Sequence, residues 1–271
     1  MISDSHMHTS FSGDCDTPVR DMVEGAIKAG LTRICFTDHL DKDYPAHEEE
    51  GDSKYDFDVN EYFKVMQSVK QEYADRIDIR IGVEIGLQEH LKQFYHEYVS
   101  THSFDFVIGS MHVIHGRDPY YGEYFEGKTD EEAYREAFLA TVDNIKAFDD
   151  YDVLGHIDYV TRYGKERAKY YSYQKFADEI DLILKTVIEH GKGIELNTSG
   201  YKYGLGFCHP HPDIIKRYRE LGGEIITIGA DGHKPEHVAY EYSKVKEVLR
   251  DAGFTYYTEF ERREPIFRQL L

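Results

Sequence analysis

The feature that most limits the fold of this chain is an alternation. Short apolar runs recur, and a longer amphipathic stretch follows each of them. The runs are 31-LTRICFT-37, 77-IDIRIGVEIG-86, 104-FDFVIGSMH-112, 152-DVLGHID-158, 193-GIELNTSG-200, 224-EIITIGADGH-233 and 254-FTYYTEF-260. Around them the spacing predicts helices over 18–29, 58–74, 88–100, 129–148, 172–190, 211–221 and 235–252. Thr17-Pro18 marks a helix start, and Gly30, Gly191 and Gly253 fall just past helix ends. Strands alternating with helices of this length form parallel β/α units, and about seven or eight of them close a regular or distorted barrel. The expected class is therefore α/β, a distorted (β/α)7 barrel with outer helices, and a doubly wound open sheet is the alternative. The 271 residues would suffice for one large barrel or two small domains. No Pro-, Gly- or Ser-rich linker divides them, so residues 1–271 are read as one domain.

Composition removes several function classes. No stretch approaches the ~18 apolar residues of a membrane span. The start, Met1-Ile2-Ser3-Asp4, lacks the basic and apolar segments of a signal peptide. Three cysteines without CxxC spacing favour a reducing, cytoplasmic setting. A formal charge of −19 argues against sequence-independent binding of nucleic acid, which needs a basic footprint.

The chemistry concentrates where the apolar runs stop. His6 and His8 end a first strand, Asp38 and His39 a second, Glu84 a third and His112 a fourth. His156 and Asp158 end the fifth, Glu195 and Asn197 the sixth, Asp231 and His233 the seventh. In a parallel β/α fold the carboxyl ends of all strands emerge on one face, where sites are built. Alternation along a strand points His6 and His8 the same way, as it does Glu195 with Asn197 and Asp231 with His233. It also separates Ile79, Ile81, Val83 and Ile85 from Arg80, Gly82 and Glu84, which places Glu84 on the interior face. Each short motif alone is a weak signal. Jointly they are strong, because core packing has no use for imidazoles and carboxylates at one end of consecutive strands.

These pieces, "DSHMHTSFSGD" at 4–14, "FTDH" at 36–39, "GVEIG" at 82–86, "IGSMH" at 108–112, "LGHIDYVTRYG" at 154–164, "IELNTSG" at 194–200 and "GADGH" at 229–233, resemble the PHP (polymerase and histidinol phosphatase) family. Within it, the segments around His112 and His156 look like the histidinol-phosphate phosphatase branch. The resemblance implies a barrel of the PHP type with a trinuclear metal centre at its mouth. Carried over by position, it puts His6, His8, Glu84 and Asp231 around one ion. Glu84, bridging, joins His112 and His156 around a second, and Asp14, His39 and His233 hold a third. Imidazole and carboxylate without thiolate suit Zn, Mn or Fe, and the sequence does not choose among them. Asp158, Glu195 and Asn197 are expected to orient ligand imidazoles. Asp38 either does the same or caps a turn.

Such a centre fits hydrolysis of a phosphate ester. Metal ions make a water nucleophilic near neutral pH and neutralise the phosphoryl oxygens. Arg162 is the first candidate for a phosphate clamp, because guanidinium grips two oxygens at once, and Arg117 is the second. Asp231 or His233 would pass a proton to the leaving alkoxide. His115, on a mouth loop, is a candidate substrate contact. Tyr120, Tyr121 and Tyr163 are candidates to line the pocket. The other histidines, His209 and His211 at a helix start among them, are read as ordinary surface or packing residues, and Cys15 as a spectator thiol.

The resulting expectation is a metal-dependent phosphomonoesterase acting on a small phosphate ester, L-histidinol phosphate, in histidine biosynthesis. The substrate identity comes from the resemblance alone. Two other activities of the same family, 3′–5′ exonuclease and protein-tyrosine phosphatase, stay open. So do an amidohydrolase-type C–N hydrolase and a metal-binding protein without catalysis. The amidohydrolase reading suffers because Ser110-Met111-His112 stands where such sites hold a lysine.

Overall fold

The structure is a computed structural model that describes residues 3–47 and 55–270. Met1 and Ile2, part of the stretch read against a signal peptide, lie outside the described residues. The first half of the chain runs α1 (Val19–Lys28), β1 (Arg33–Phe36), β2 (His39–Leu40), α2 (Val59–Glu72), β3 (Asp78–Gly86), α3 (Lys92–Thr101), β4 (Phe106–Ser110) and α4 (Asp130–Ala147). The second half runs β5 (Val153–Leu154), α5 (Ala177–Glu189), β6 (Gly193–Asn197), α6 (Ser199–Lys202), α7 (Pro212–Glu220), β7 (Ile226–Gly229), α8 (Tyr242–Asp251), β8 (Tyr256–Glu261) and β9 (Glu264–Gln269). The starts carry local signals. Asp58 accepts from the N–H groups of Asn60 and Glu61, Thr129 and Glu132 form a reciprocal cap on α4, and Pro212 opens α7. Gly30, Gly191 and Gly253 take left-handed φ of 80°, 68° and 90° at the predicted helix ends. The helix expected over 172–190 begins with a 3-10 turn at Tyr173–Phe176, and the one over 235–252 is α-helical only from Tyr242.

The parallel sheet runs β1-β3-β4-β5-β6-β7, with β2 continuing the β1 edge beside β3. The N-terminal segment closes it. Cys35 N and Thr37 N donate to Asp4 O and Met7 O on one side. On the other, Ser5 N donates to Ile228 O, and Asp231 N to His6 O. The first strand expected at His6 and His8 is thus two isolated bridges, Asp4 with Ile34 and Met7 with Gly232, not a regular ladder. There the buried Asp4 carboxylate stands in for ladder partners, accepting the N–H groups of His6, Ala230 and Ala239.

The run at 254–260 has a different role from the others. It pairs antiparallel with β9, from Tyr256 opposite Gln269 to Glu261 opposite Glu264. Phe260 enters the barrel floor with Cys35, Phe106, Ile108 and Val153, its ring 5.0 Å from that of Phe106. Ion pairs of Arg80 with Glu261 (2.7 Å) and Arg263 with Asp152 (2.7 Å) fasten the hairpin to the floor. Outside, Ile79, Ile81, Val83 and Ile85 of β3 join the large core beneath the helices, as alternation required. The floor thus combines a small apolar cluster with peripheral ion pairs, and the mouth gathers imidazoles and carboxylates. No helix among the described residues is long and apolar enough to cross a membrane.

Candidate metal centre

Glu84 stands at the middle of the mouth. In the ladder it lies opposite His39 of β2, and parallel pairing puts both side chains on the interior face. Its Oε1 accepts from Ser110 Oγ at 2.6 Å and lies 3.0 Å from His156 Nε2 and 3.3 Å from His112 Nε2. Its Oε2 lies 3.1 Å from His6 Nε2, 3.0 Å from His39 Nδ1 and 3.6 Å from His8 Nε2. Asp231 Oδ1 faces His8 Nε2 at 3.4 Å and His6 Nε2 at 4.0 Å. Asp14 Oδ2 lies 3.1 Å from His233 Nε2 and 3.8 Å from His39 Nε2. All nine side chains expected to bind metal are therefore gathered at one rim. His39 sits between two groups, with Nδ1 toward Glu84 and Nε2 toward Asp14.

Glycines make room for this convergence. A Cβ on Gly229, the last residue of β7, would overlap both His6 Cβ and Glu195 Oε1. One on Gly86, the last residue of β3, would overlap the Asp41 carboxylate. Side chains from neighbouring strands thus meet over backbone that carries none.

Several imidazoles are fixed through their second nitrogen, which sets which nitrogen faces the cluster. His6 Nδ1 pairs with Glu195 Oε1 at 2.7 Å, His8 Nδ1 with Ser12 Oγ at 3.0 Å, and His112 Nδ1 with Asp41 Oδ1 at 2.8 Å. Asp38 does both things the sequence allowed. It caps the turn by accepting from Thr9 N (2.6 Å), and it accepts from Ser12 Oγ (2.7 Å), the hydroxyl that holds His8. Asn197 donates to Glu195 Oε2 at 3.0 Å, steadying the carboxylate that orients His6.

The electrostatics ask for cations. Burial alone would raise the Glu84 carboxyl, yet His6, His112 and His39 overcome this and hold it well below the usual carboxylate range. Burial likewise raises Asp231, and its bond to His8 with the charges of His6 and Arg162 bring it well below that range. His8 is pushed well below the usual imidazole value by burial and by His233 and His39, so it is a neutral donor suited to a metal. Among the described residues, Glu84 Oε2, His39 Nδ1 and His233 Nε2 are buried and make no hydrogen bond of proper geometry, although each lies within 3.0–3.1 Å of a neighbour in the cluster. Among the described residues, four groups with ligand atoms within 4.8 Å of one another can be drawn: His6-His8-Asp231, His6-Glu84-His156, His39-Glu84-His112 and His8-His39-His233. Orphaned donors, neutral imidazole and buried carboxylates together fit metal ions.

A cavity of about 460 Å³ opens over the cluster, within the range of small-ligand sites. Arg162, 6% exposed, forms part of its wall. Its guanidinium lies 4.9 Å from the Tyr159 ring and 4.4 Å from that of Tyr203, and Nη2 donates to Ser199 Oγ (2.5 Å) and Asp231 Oδ2 (3.3 Å). Nε donates to His209 Nε2 at 3.0 Å. Arginine can only donate, so His209 Nε2 accepts and Nδ1 carries the proton that it gives to Asp158 Oδ1 at 2.5 Å.

The structure places several residues differently from the sequence expectation. Asp158 orients no ligand imidazole; it accepts from His209 and from His211 N (2.8 Å). His209, expected to be a bland residue at a helix start, is wholly buried against Arg162. Arg117 and His115 do not reach the cavity. They sit exposed on a turn that the Ile114–Arg117 bridge closes, outside the lining. Tyr120 and Tyr163 do line it, whereas Tyr121 stacks on His47 with ring centroids 3.5 Å apart. The Cys15 thiol donates to the His233 carbonyl at 3.2 Å and belongs to none of the candidate metal groups. The sequence reading did not single out Asp41, Tyr44, Asp118, Lys202 or Tyr203, which also line the cavity. Asp41 and Lys202 follow strand ends closely and carried that much signal; which residues of the loop after β4 turn inward did not show in the pattern.

The PHP domain family matches residues 4–199, and the chain belongs to that family. The histidinol-phosphatase of Lactococcus lactis subsp. lactis is 33% identical over 259 residues, covering 93% of this chain and 91% of that one. A probable histidinol-phosphatase of Clostridium acetobutylicum is 30% identical over 253 residues, covering 93% and 94%. The crystal structure of histidinol phosphate phosphatase from Lactococcus lactis, complexed with zinc, L-histidinol and phosphate, superposes with a TM-score of 0.89 over 98% of both chains at 31% identity. The expected PHP-type barrel is borne out. Family membership also sets aside the amidohydrolase reading, and Ser110, where a lysine would be needed, bonds to Glu84 instead.

Proposed function

We propose that this protein is a metal-dependent phosphomonoesterase that hydrolyses L-histidinol phosphate to L-histidinol and phosphate. The observation that carries the reading is the buried Arg162 set beside a rim of nine ligand-type side chains, in a chain matched end to end by histidinol-phosphatases. On this reading His6, His8, Glu84 and Asp231 hold one cation, Glu84, His112 and His156 a second, and Asp14, His39 and His233 a third. Zn, Mn and Fe all suit the donor set, and zinc is the metal in the Lactococcus structure. Bound cations supply Lewis-acid activation of the attacking water and neutralise the phosphoryl charge.

The chain's own residues do the rest. Arg162, pinned by Tyr159, Tyr203, Ser199 and His209, presents a guanidinium that needs no reorganisation when phosphate arrives. Asp231 commits Oδ1 to the imidazole side and Oδ2 to Arg162 and Ser199. His233 is likewise committed, with Nδ1 3.2 Å from the Asp231 carbonyl and Nε2 facing Asp14 at 3.1 Å, so on this reading neither candidate holds a proton to give and solvent at the open mouth protonates the leaving alkoxide. Such an enzyme works on a small molecule, in histidine biosynthesis and in the cytoplasm.

The test is phosphate release from histidinol phosphate by metal-analysed protein, beside a single-stranded oligonucleotide and a phosphotyrosine peptide. Preference for histidinol phosphate, loss of activity on chelation and recovery with added zinc are expected. Arg162→Ala should lower kcat/KM by about two to three orders of magnitude, the scale of one lost transition-state charge contact. Faster turnover of either rival substrate would overturn the assignment, and unchanged kinetics in the variant would remove Arg162 from the site.

A further inference from the structure

The cavity has a second chemical side. Four carboxylates line it: Asp14, Asp41, Asp118 and Asp231. Asp14 and Asp231 face imidazoles of the cluster, and Asp41 is bonded to His112. Asp118 is not engaged there. It is 6% exposed, accepts from Tyr44 Oη (2.6 Å) and from Tyr120 N (2.7 Å), and forms no ion pair with a lysine or arginine among the described residues. Tyr159 and Tyr163 lie within electrostatic reach of both Arg162 and Asp118. The cations Arg162 and Lys202 and the acid Asp118 therefore border one aromatic-walled space.

We propose that Asp118, held in place by Tyr44 and the Tyr120 amide, is a specificity-determining residue that takes the ammonium group of the substrate's leaving alcohol. This rests on the phosphatase reading above. A buried carboxylate without a cationic partner costs free energy that an incoming ammonium recovers, whereas an ester lacking the amine leaves that cost in place. The direction of its acidity agrees: burial pushes the Asp118 carboxyl up to about 6, the mark of a group short of positive charge. Discrimination arises because the phosphate end satisfies the metal side of the cavity equally for both esters, so only the amine end distinguishes them.

The experiment compares L-histidinol phosphate with its desamino analogue, 3-(imidazol-4-yl)propyl phosphate, on metal-loaded parent protein and on Asp118→Asn. The parent should prefer the amine-bearing ester by about 10- to 100-fold in kcat/KM, the scale of one charge-assisted hydrogen bond. Asp118→Asn should abolish that preference by lowering kcat/KM for the amine-bearing ester, and native far-UV circular dichroism with the parent's metal content shows that the variant folds. A preference that survives in the variant, or is missing from the parent, overturns the assignment of Asp118 and leaves the phosphatase reading standing. Failure of the parent to hydrolyse either ester overturns both.

Discussion

His209 offers a sharp test of how the site holds its guanidinium. Its Nε2 accepts from Arg162 Nε at 3.0 Å and its Nδ1 donates to Asp158 at 2.5 Å, so its two nitrogens have separable tasks. In His209→Asn the amide N–H takes the place of Nδ1 and keeps the bond to Asp158, but Arg162 Nε loses its acceptor while Nη2 keeps Ser199 and Asp231. In His209→Gln the amide oxygen reaches the Nε2 position and accepts from Arg162, and the Asp158 bond is lost. Asp158 then still accepts from His211 N at 2.8 Å. A buried hydrogen bond to a charged group contributes about 1.5–3 kcal/mol. If that amount of Arg162 placement is needed in the transition state, His209→Asn loses about 10- to 100-fold in kcat/KM and His209→Gln less than about tenfold. Steady-state kinetics on metal-analysed protein, with a pH profile, provide the measurement. Equal losses in both variants, with the alkaline limb of the kcat profile abolished in each, would show that His209 gives up a proton rather than accepting a hydrogen bond, and the reasoning would be refuted.

Gly229→Ala should force His6 and Glu195 apart, because the added methyl overlaps both. Metal content after dialysis should then fall below the parent's while far-UV circular dichroism stays native, and Glu195→Gln, which weakens the 2.7 Å bond to His6, should lower metal affinity by about 10- to 100-fold. The Asp118 carboxyl sits at about 6 in the folded protein against an ordinary 3.8, so the folded state keeps a proton that the unfolded chain releases between those values. The contribution of this group to the stability of the metal-free protein should therefore fall as pH rises from about 4 to 6, by at most about 3 kcal/mol. Asp118→Asn should flatten that segment of a urea-midpoint profile, and an unchanged slope would count against it.

The strand ends were readable from sequence because two periodicities coincide there. Alternation in 79-IRIGVEI-85 turned Glu84 inward, and the βα repeat brought it level with His39, Asp231 and the others at one rim. Asp14 comes from a loop, and the family pattern rather than periodicity pointed to it; it lies 3.1 Å from His233 Nε2 and 3.8 Å from His39 Nε2. The misses share a cause. Asp158 stands two residues past His156 and was expected to serve the same cluster, yet the 3-10 turn at Tyr159–Arg162 carries the chain away and hands it to His209, 51 residues further on. Arg117 and Asp118 are neighbours in one loop, and the turn closed by Ile114 and Arg117 exposes the first and buries the second. The run at 254–260 has the composition of a barrel strand, but its return through β9 leaves it on the floor.

What the sequence determined by itself was whatever depends on neighbours a few residues apart: the βα alternation, the inward face of each strand, and the kind of polar side chain at each strand end. What only the tertiary structure decided was how loops turn. Which acid meets the cavity, which imidazole backs Arg162, and which nitrogen of each ring faces the cluster all depend on contacts between segments distant in the chain. Those contacts are selected by packing and burial across the whole barrel, and no local period encodes them.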